Sequence, residues 1–257
     1  MKITVSSREF STFIAAISNV TRQGVTFKIH KNYIEVISLS DDNCSIIVFA
    51  KLFIINSDEI DLGEDDVKEV HIKDIQKFKK LIDMNGQDTF TFEIKNNYVY
   101  FKNKKVKGAK FMLAESSFRP IKKQLTAEWF DSFNKNLSMT VSKSDIKEVL
   151  SASSFVSDSV AKIYFYEKDS EIVAEINDNE LSNVDNLTIS LSSEFNGTIE
   201  GKVIINIATL GQIYLACDDI LIESATIGVG VNSSEVLFIT ETVDNVTIKY
   251  LLNTLKS

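Results

Sequence analysis

The sequence predicts an α+β protein in which one design is used twice. Three observations carry this. First, the chain has 17 Phe, 7 Tyr and a single proline among 257 residues, and it is rich in Ile, Val and Thr. Such β-branched and aromatic enrichment favours strands. Second, "ITVSSREFSTFI" at residues 3–14 and "MTVSKSDIKEVL" at 139–150 read alike, with Thr4, Val5, Ser6 and Glu9 matching Thr140, Val141, Ser142 and Asp145 at a shift of 136. Third, that shift persists. Ile72, Ile75 and Phe78 match Ile207, Leu210 and Ile213 at 135, and Val99 and Phe101 match Val236 and Phe238 at 137. A repeat of this length marks a duplicated domain.

The elements follow in order. Phe10, Phe13, Ile14 and Ile17 recur at i, i+3, i+4 and i+7, one apolar stripe of a helix. Ser6 or Ser7 caps its start, and Gly24 follows its end. Strands are predicted at 25–30, 33–39 and 44–52, with turns at Lys31-Asn32 and Asp41-Asp42-Asn43. An acidic loop, 57–66, precedes a strand at 67–72. A second helix over 73–84 has its stripe at Ile75, Phe78, Leu81 and Ile82, and Asn85-Gly86 ends it. Strands at 88–95, 98–103 and 109–115 close the half.

The second half repeats the plan. A strand and helix occupy 138–156, and strands follow at 159–167, 171–177 and 185–195. Residues 202–207 lead into a helix over 208–216, and strands at 219–228, 235–241 and 245–252 finish the chain. Each half thus reads strand–helix–three strands twice over. The expected division is a domain over 1–116, a connector over 117–136 and a domain over 137–257.

Composition excludes several classes. The net charge of −8 argues against a wholly basic nucleic-acid coat but leaves room for a local cationic patch. Cys44 and Cys217 lie in apolar surroundings and read as buried free thiols of a reducing, intracellular, cytoplasmic protein. The N-terminus lacks the apolar core of a signal peptide, and the longest apolar run, 46–55, is too short to span a membrane. The two histidines, His30 and His71, have no metal-ligand spacing, and no phosphate-binding or nucleophile motif occurs. The reading is a non-enzyme with no cofactor and no metal.

Several local stretches then point to a family. "YIEVISLSDDNCSIIVFAKL" (33–52), "AKFMLAE" (109–115) and "VTIKYLLNTLKS" (246–257) resemble, in order and spacing, the strand–loop–strand, the last strand before the connector and the C-terminal strand of the DNA sliding clamps. These include proliferating cell nuclear antigen and the phage DNA polymerase processivity factors. Asn253-Thr254 stands where the family usually has a proline after the tyrosine. Low proline with abundant Lys and Asn points to a divergent member of viral or phage type, which would act in the host cytoplasm.

The resemblance implies a DNA-clamp fold and a homotrimeric ring around duplex DNA. Its partners are a DNA polymerase and a clamp loader, and no membrane is involved. It implies inward helices with diffuse positive charge toward phosphates. On this chain the candidates are Arg8, Arg22, Lys73, Lys77, Lys80, Lys143 and Lys147; the helix at 208–216 offers no basic residue. It also implies a groove for partner peptides, at Leu39, Ile46, Ile121, Leu125, Tyr250 and Leu252. The lysine-rich stretch "KNKKVKGAK" (102–110) reads as a hairpin, mostly solvated. Two alternatives stand beside this reading. One is a single-strand-binding protein that stacks bases on Phe90, Phe92, Tyr98 and Tyr100. The other is a structural β-rich assembly protein.

Overall fold

The computed structural model describes residues 1–42, 45–115, 125–156, 162–177, 186–199, 201–227 and 234–255. The chain divides into two compact units. The first comprises 1–43, 47–126 and 242–248; the second comprises 44–46, 127–241 and 249–257.

The first unit contains β1 (Lys2–Ser6), α1 (Ser7–Val20), β2 (Val25–Ile29), β3 (Tyr33–Leu39) and β4 (Ile46–Phe53). A short 3-10 turn at Ser57–Glu59 lies in the acidic loop. Then come β5 (Lys68–Ile72), α2 (Ile75–Asp83), β6 (Thr89–Ile94), β7 (Tyr98–Phe101) and β8 (Ala109–Met112). Strand order is β1-β6-β7-β8 in one sheet and β4-β3-β2-β5 in the other run. Both helices start on side-chain caps. Ser6 Oγ accepts the Glu9 N–H at 3.4 Å, and Asp74 Oδ1 accepts the Lys77 N–H at 2.8 Å. The apolar stripes of both helices are buried in a core of phenylalanines. Phe10 lies 5.3 Å from Phe90, 5.6 Å from Phe92 and 6.2 Å from Phe78, and Phe78 lies 5.1 Å from Phe111, centroid to centroid. Such contacts add to the burial of the rings themselves.

The second unit contains α3 (Ala127–Asp131), β9 (Lys135–Ser142), α4 (Lys143–Val156), β10 (Lys162–Lys168) and β11 (Glu171–Asn177). It continues with β12 (Leu187–Ser192), β13 (Phe195–Gly197), β14 (Val203–Asn206), α5 (Ile207–Gly211), β15 (Asp219–Ile227), β16 (Ser234–Val243) and β17 (Val246–Asn253), of which residues 242–248 fall in the first unit. Its strand orders are β9-β15-β16-β17 and β12-β11-β10-β14. Mapping β1 to β9, β2 to β10 and so on through the repeat turns one unit's topology into the other's. The duplication read in the sequence is therefore a duplication of sheet order. The core here is more aliphatic, with Ile146, Val149, Ile163, Ile205, Ile220 and Ile222 nearly inaccessible.

Three expectations change. The strand expected over 185–195 is two strands. Ser192 Oγ accepts the Glu194 N–H and donates to the Glu194 carbonyl, a local turn that stops β12 and lets β13 pair with β9 instead. The helix expected over 208–216 ends at Gly211. The buried Glu241 carboxylate accepts the N–H groups of Ala216 and Cys217 at 2.6 and 2.7 Å, and the Tyr250 hydroxyl donates to the Tyr214 carbonyl at 3.0 Å. These partners hold 212–218 outside a helix. Residues 127–136 of the expected connector form α3 and the start of β9. Cys217 is half-buried and in no disulfide, more accessible than expected; Cys44 lies outside the described residues.

Candidate nucleic-acid interface

In the first unit the two helices present one polar face each. On α1 the buried positions include Phe10, Phe13, Ile14 and Ile17, leaving Arg8 and Asn19 exposed and Ser11 and Thr12 half-exposed on the opposite side. Gln76 Nε2 of α2 donates to the Ser18 carbonyl of α1, so the helices are tied side by side. On α2, Lys77 and Lys80 are exposed and lie at helical spacing on one side, with exposed Lys73 just before the cap. Among the described residues none of these three lysines forms an ion pair. Arg8 extends into solvent, 3.9 Å from Asp244. Arg22 is exposed beyond the end of α1, and its N–H donates to Asp41 Oδ1 at 3.0 Å, which brings a carboxylate close to it.

The second unit is less cationic. Lys143 is half-buried, and its charge acts on the buried Glu241, lowering that carboxyl's pKa against the rise that burial imposes. Lys147 is exposed but is followed by exposed Glu148. α5 carries no charged side chain. Sequence reasoning passed over Ser11, Thr12 and Asn19 of α1. Their signal was present, since they fall opposite the Phe10/Phe13/Ile17 stripe, and hydroxyl and amide donors suit phosphate oxygens as cations do.

The expected peptide groove fares differently. Leu39, at the end of β3, and Leu125 are half-buried, and Ile121 lies outside the described residues. Ile46, Tyr250 and Leu252 are each 0% exposed, so they are corrected to core residues with no apolar surface to offer a peptide. Phe90 and Phe92, at 0 and 2% exposure, are packed on Phe10 and cannot stack on bases; only Tyr98 and Tyr100 of that set reach the surface. Among the described residues no His, Cys, Asp and Glu cluster could hold a metal ion, and no helix is long and apolar enough to cross a membrane.

Two units of one topology, each with its helices over sheet, define the DNA sliding-clamp fold, and the chain has it. Solved structures of PCNAs and of a putative DNA polymerase III beta subunit resemble it over 99% or more of its own length. Against the A. fulgidus PCNA bound to the C-terminal region of FEN-1 the TM-score is 0.72 at 13% identity, covering 100% of this chain and 98% of that one. The PCNA of Thermococcus kodakaraensis gives 0.70 at 16% identity, covering 99% of both chains. A putative DNA polymerase III beta subunit from Eubacterium rectale gives 0.68 at 16% identity, covering 100% of this chain and 66% of that one. Neither a family model nor a curated protein matches the sequence. At these identities the likeness fixes the fold.

Proposed function

We propose that this protein is a DNA sliding clamp, a non-enzymatic processivity factor. Three copies close into a ring around duplex DNA, a clamp loader places it there, and it tethers the replicative DNA polymerase. The observation that carries the reading is the exposed Lys77 and Lys80 of α2, with exposed Lys73 just before its cap, none of them in an ion pair among the described residues of a clamp-fold unit. Weak, diffuse positive charge suits a ring that must slide. Phosphate contacts without base readout give no preferred stopping place. Arg8, Arg22, Lys143 and Lys147 belong to the same surface in this reading, with Lys143 contributing least because it is half-buried. Other replication proteins dock on the outside through short segments, as FEN-1's C-terminal region is bound in the A. fulgidus complex.

The test is DNA synthesis on primed circular DNA with the cognate polymerase and loader. The chain is expected to lengthen the product made per binding event. Lys77→Glu with Lys80→Glu is expected to lower that stimulation while leaving stability within about 0.5 kcal/mol, since both side chains are exposed. Products of unchanged length with the wild-type chain would overturn the proposal.

A further inference from the structure

Phe53 and Ile55, at the end of β4, stand 44% and 57% exposed. Ile54 between them is buried, so the three alternate as a strand does, two outward and one inward. The backbone holds them there. The Phe53 N–H donates to the Asn245 carbonyl at 3.2 Å, the Ile54 N–H to that of Asn32 at 2.8 Å, and the Ile55 N–H to that of Thr4 at 2.9 Å. Asn56 then ties the chain to β1, its Oδ1 accepting the Thr4 N–H at 2.7 Å and its Nδ2 donating to the Lys2 carbonyl at 3.2 Å. Turning either side chain inward would break these bonds. The apolar surface continues onto β3, where the Tyr33 ring meets Phe53 edge to face at 6.3 Å. Single exposed apolar residues are ordinary, but a cluster fixed outward is not. The fold does not require it. In β12, the match of β4 in the second unit, Ser190 and Ser192 flank a buried Leu191, the same alternation with hydroxyls outward.

The chain runs from this patch straight into the acidic loop. Asp58, Glu59, Asp61, Glu64, Asp65 and Asp66 are all exposed, and among the described residues none forms an ion pair. No basic residue lies between Phe53 and Val67. Glu59 Oε2 accepts the Asn56 Nδ2 at 3.0 Å, and Ile60 is buried, so the carboxylates begin beside Ile55 on an anchored loop. At the opposite end Lys51 Nζ lies over the Tyr33 ring, 3.9 Å from its centroid. A run of carboxylates alone is a solvated loop. Next to fixed apolar side chains it decides which partner fits. It repels the phosphates of nucleic acid and the headgroups of an anionic membrane. It attracts a chain that carries lysine or arginine.

We propose that Tyr33, Phe53 and Ile55 are a docking site for a basic peptide segment of another protein. The segment sets its apolar side chains on Phe53 and Ile55 and lays its lysines or arginines over residues 58–66. Lys51 gives the contact a direction, since it pushes the partner's cations away from Tyr33 and toward the loop. The apolar contact supplies the affinity, and the exposed carboxylates steer and select. The backbone is already bonded in place, so little ordering cost falls on this side of the contact. The inference needs neither a ring nor DNA and stands apart from the clamp reading.

Fluorescence anisotropy on the purified full chain, with labelled synthetic peptides at about 0.1 M salt, tests this. The first peptide carries Phe and Leu beside a run of lysines, the second has Ser for both apolar residues, and the third has Glu for the lysines. The first is expected to bind, the second at least about ten-fold more weakly, and the third not at all. Phe53→Ser with Ile55→Ser is expected to weaken the first peptide at least about ten-fold and to leave the second unchanged, with circular dichroism as in wild type. The peptide series decides the matter even if that double variant fails to fold. Equal affinity for the first two peptides, or for the first and third, would overturn the proposal, as would a folded double variant that binds the first peptide undiminished. The same chains are offered a single-stranded oligonucleotide and phosphatidylserine vesicles, and their self-association is followed by sedimentation. Any of these that binds wild type and is lost in the double variant would overturn the basic peptide as the occupant.

Discussion

Glu241 shows what one buried carboxylate does to a local fold. It is 2% exposed, its Oε2 accepts two backbone N–H groups, and its Oε1 has no partner among the described residues. Burial raises its pKa above the ordinary 4.5, and the two N–H bonds with the charge of Lys143 only partly oppose this. The native state therefore holds this proton more tightly than the unfolded chain does. The group's stabilising contribution is complete below the unfolded value and is lost as pH rises through the raised native one. Glu241→Gln keeps a carbonyl for the same N–H groups and removes the ionisation. Its stability relative to wild type, from urea midpoints, is expected to rise as pH increases above the ordinary carboxyl value of 4.5, until the native carboxyl is ionised as well. Parallel curves for the two proteins would refute the assignment. Tyr250 makes a related point about legibility. An apolar residue in a strand is read from alternation, but β17 is covered on both faces at Tyr250, Leu251 and Leu252, so alternation cannot tell a groove-lining side chain from a core one.

At the scale of elements, the helices with clean stripes and capping residues were legible, because Ser6, Asp74 and the 3.6-residue period all act locally. The halves of the duplication were legible because both keep one spacing. The short α5 and the β12–β13 break were not, because distant residues decide them: Glu241 and Tyr250 in one case, pairing with β9 in the other. The lysines of α2 could be placed by periodicity alone, whereas the action of half-buried Lys143 on Glu241, nearly a hundred residues further on, could not. β13 itself depends on one glycine. Gly197 has φ +93°, and a Cβ there would stand 1.9 Å from the Asn136 carbonyl oxygen. Gly201 also has positive φ, +78°, but nothing within 4 Å of such a Cβ. Gly201→Ala is expected to cost about 1 kcal/mol, the conformational part alone. Gly197→Ala is expected to cost at least about 2 kcal/mol, since β13 must also move off β9. Equal costs in chemical denaturation would mean the close approach to Asn136 carries no energy.

For the whole molecule, the proposed clamp function turns on whether affinity or encirclement would hold the protein on DNA. The net charge of −8 sets the body against a polyanion, and the cationic face rests on a few exposed side chains. So small a patch supplies little free energy by counterion release, and an acidic body subtracts from it. Closure changes the arithmetic, because a closed ring need not bind tightly to stay on a closed track; dissociation requires the ring to open. The two mechanisms separate when only DNA topology is changed. At one fixed salt concentration the protein is loaded onto a nicked circle and the circle is then cut once. The cut leaves phosphates, sequence and ionic strength as they were, so a protein held by affinity keeps its occupancy. A ring slides off the new ends, and the fraction retained on gel filtration is expected to fall about ten-fold or more. Blocking both ends of the cut DNA with a tightly bound protein is expected to restore retention. Equal retention on cut and uncut DNA would show that the lysines of α2 act as a binding patch and that no closed ring surrounds the duplex.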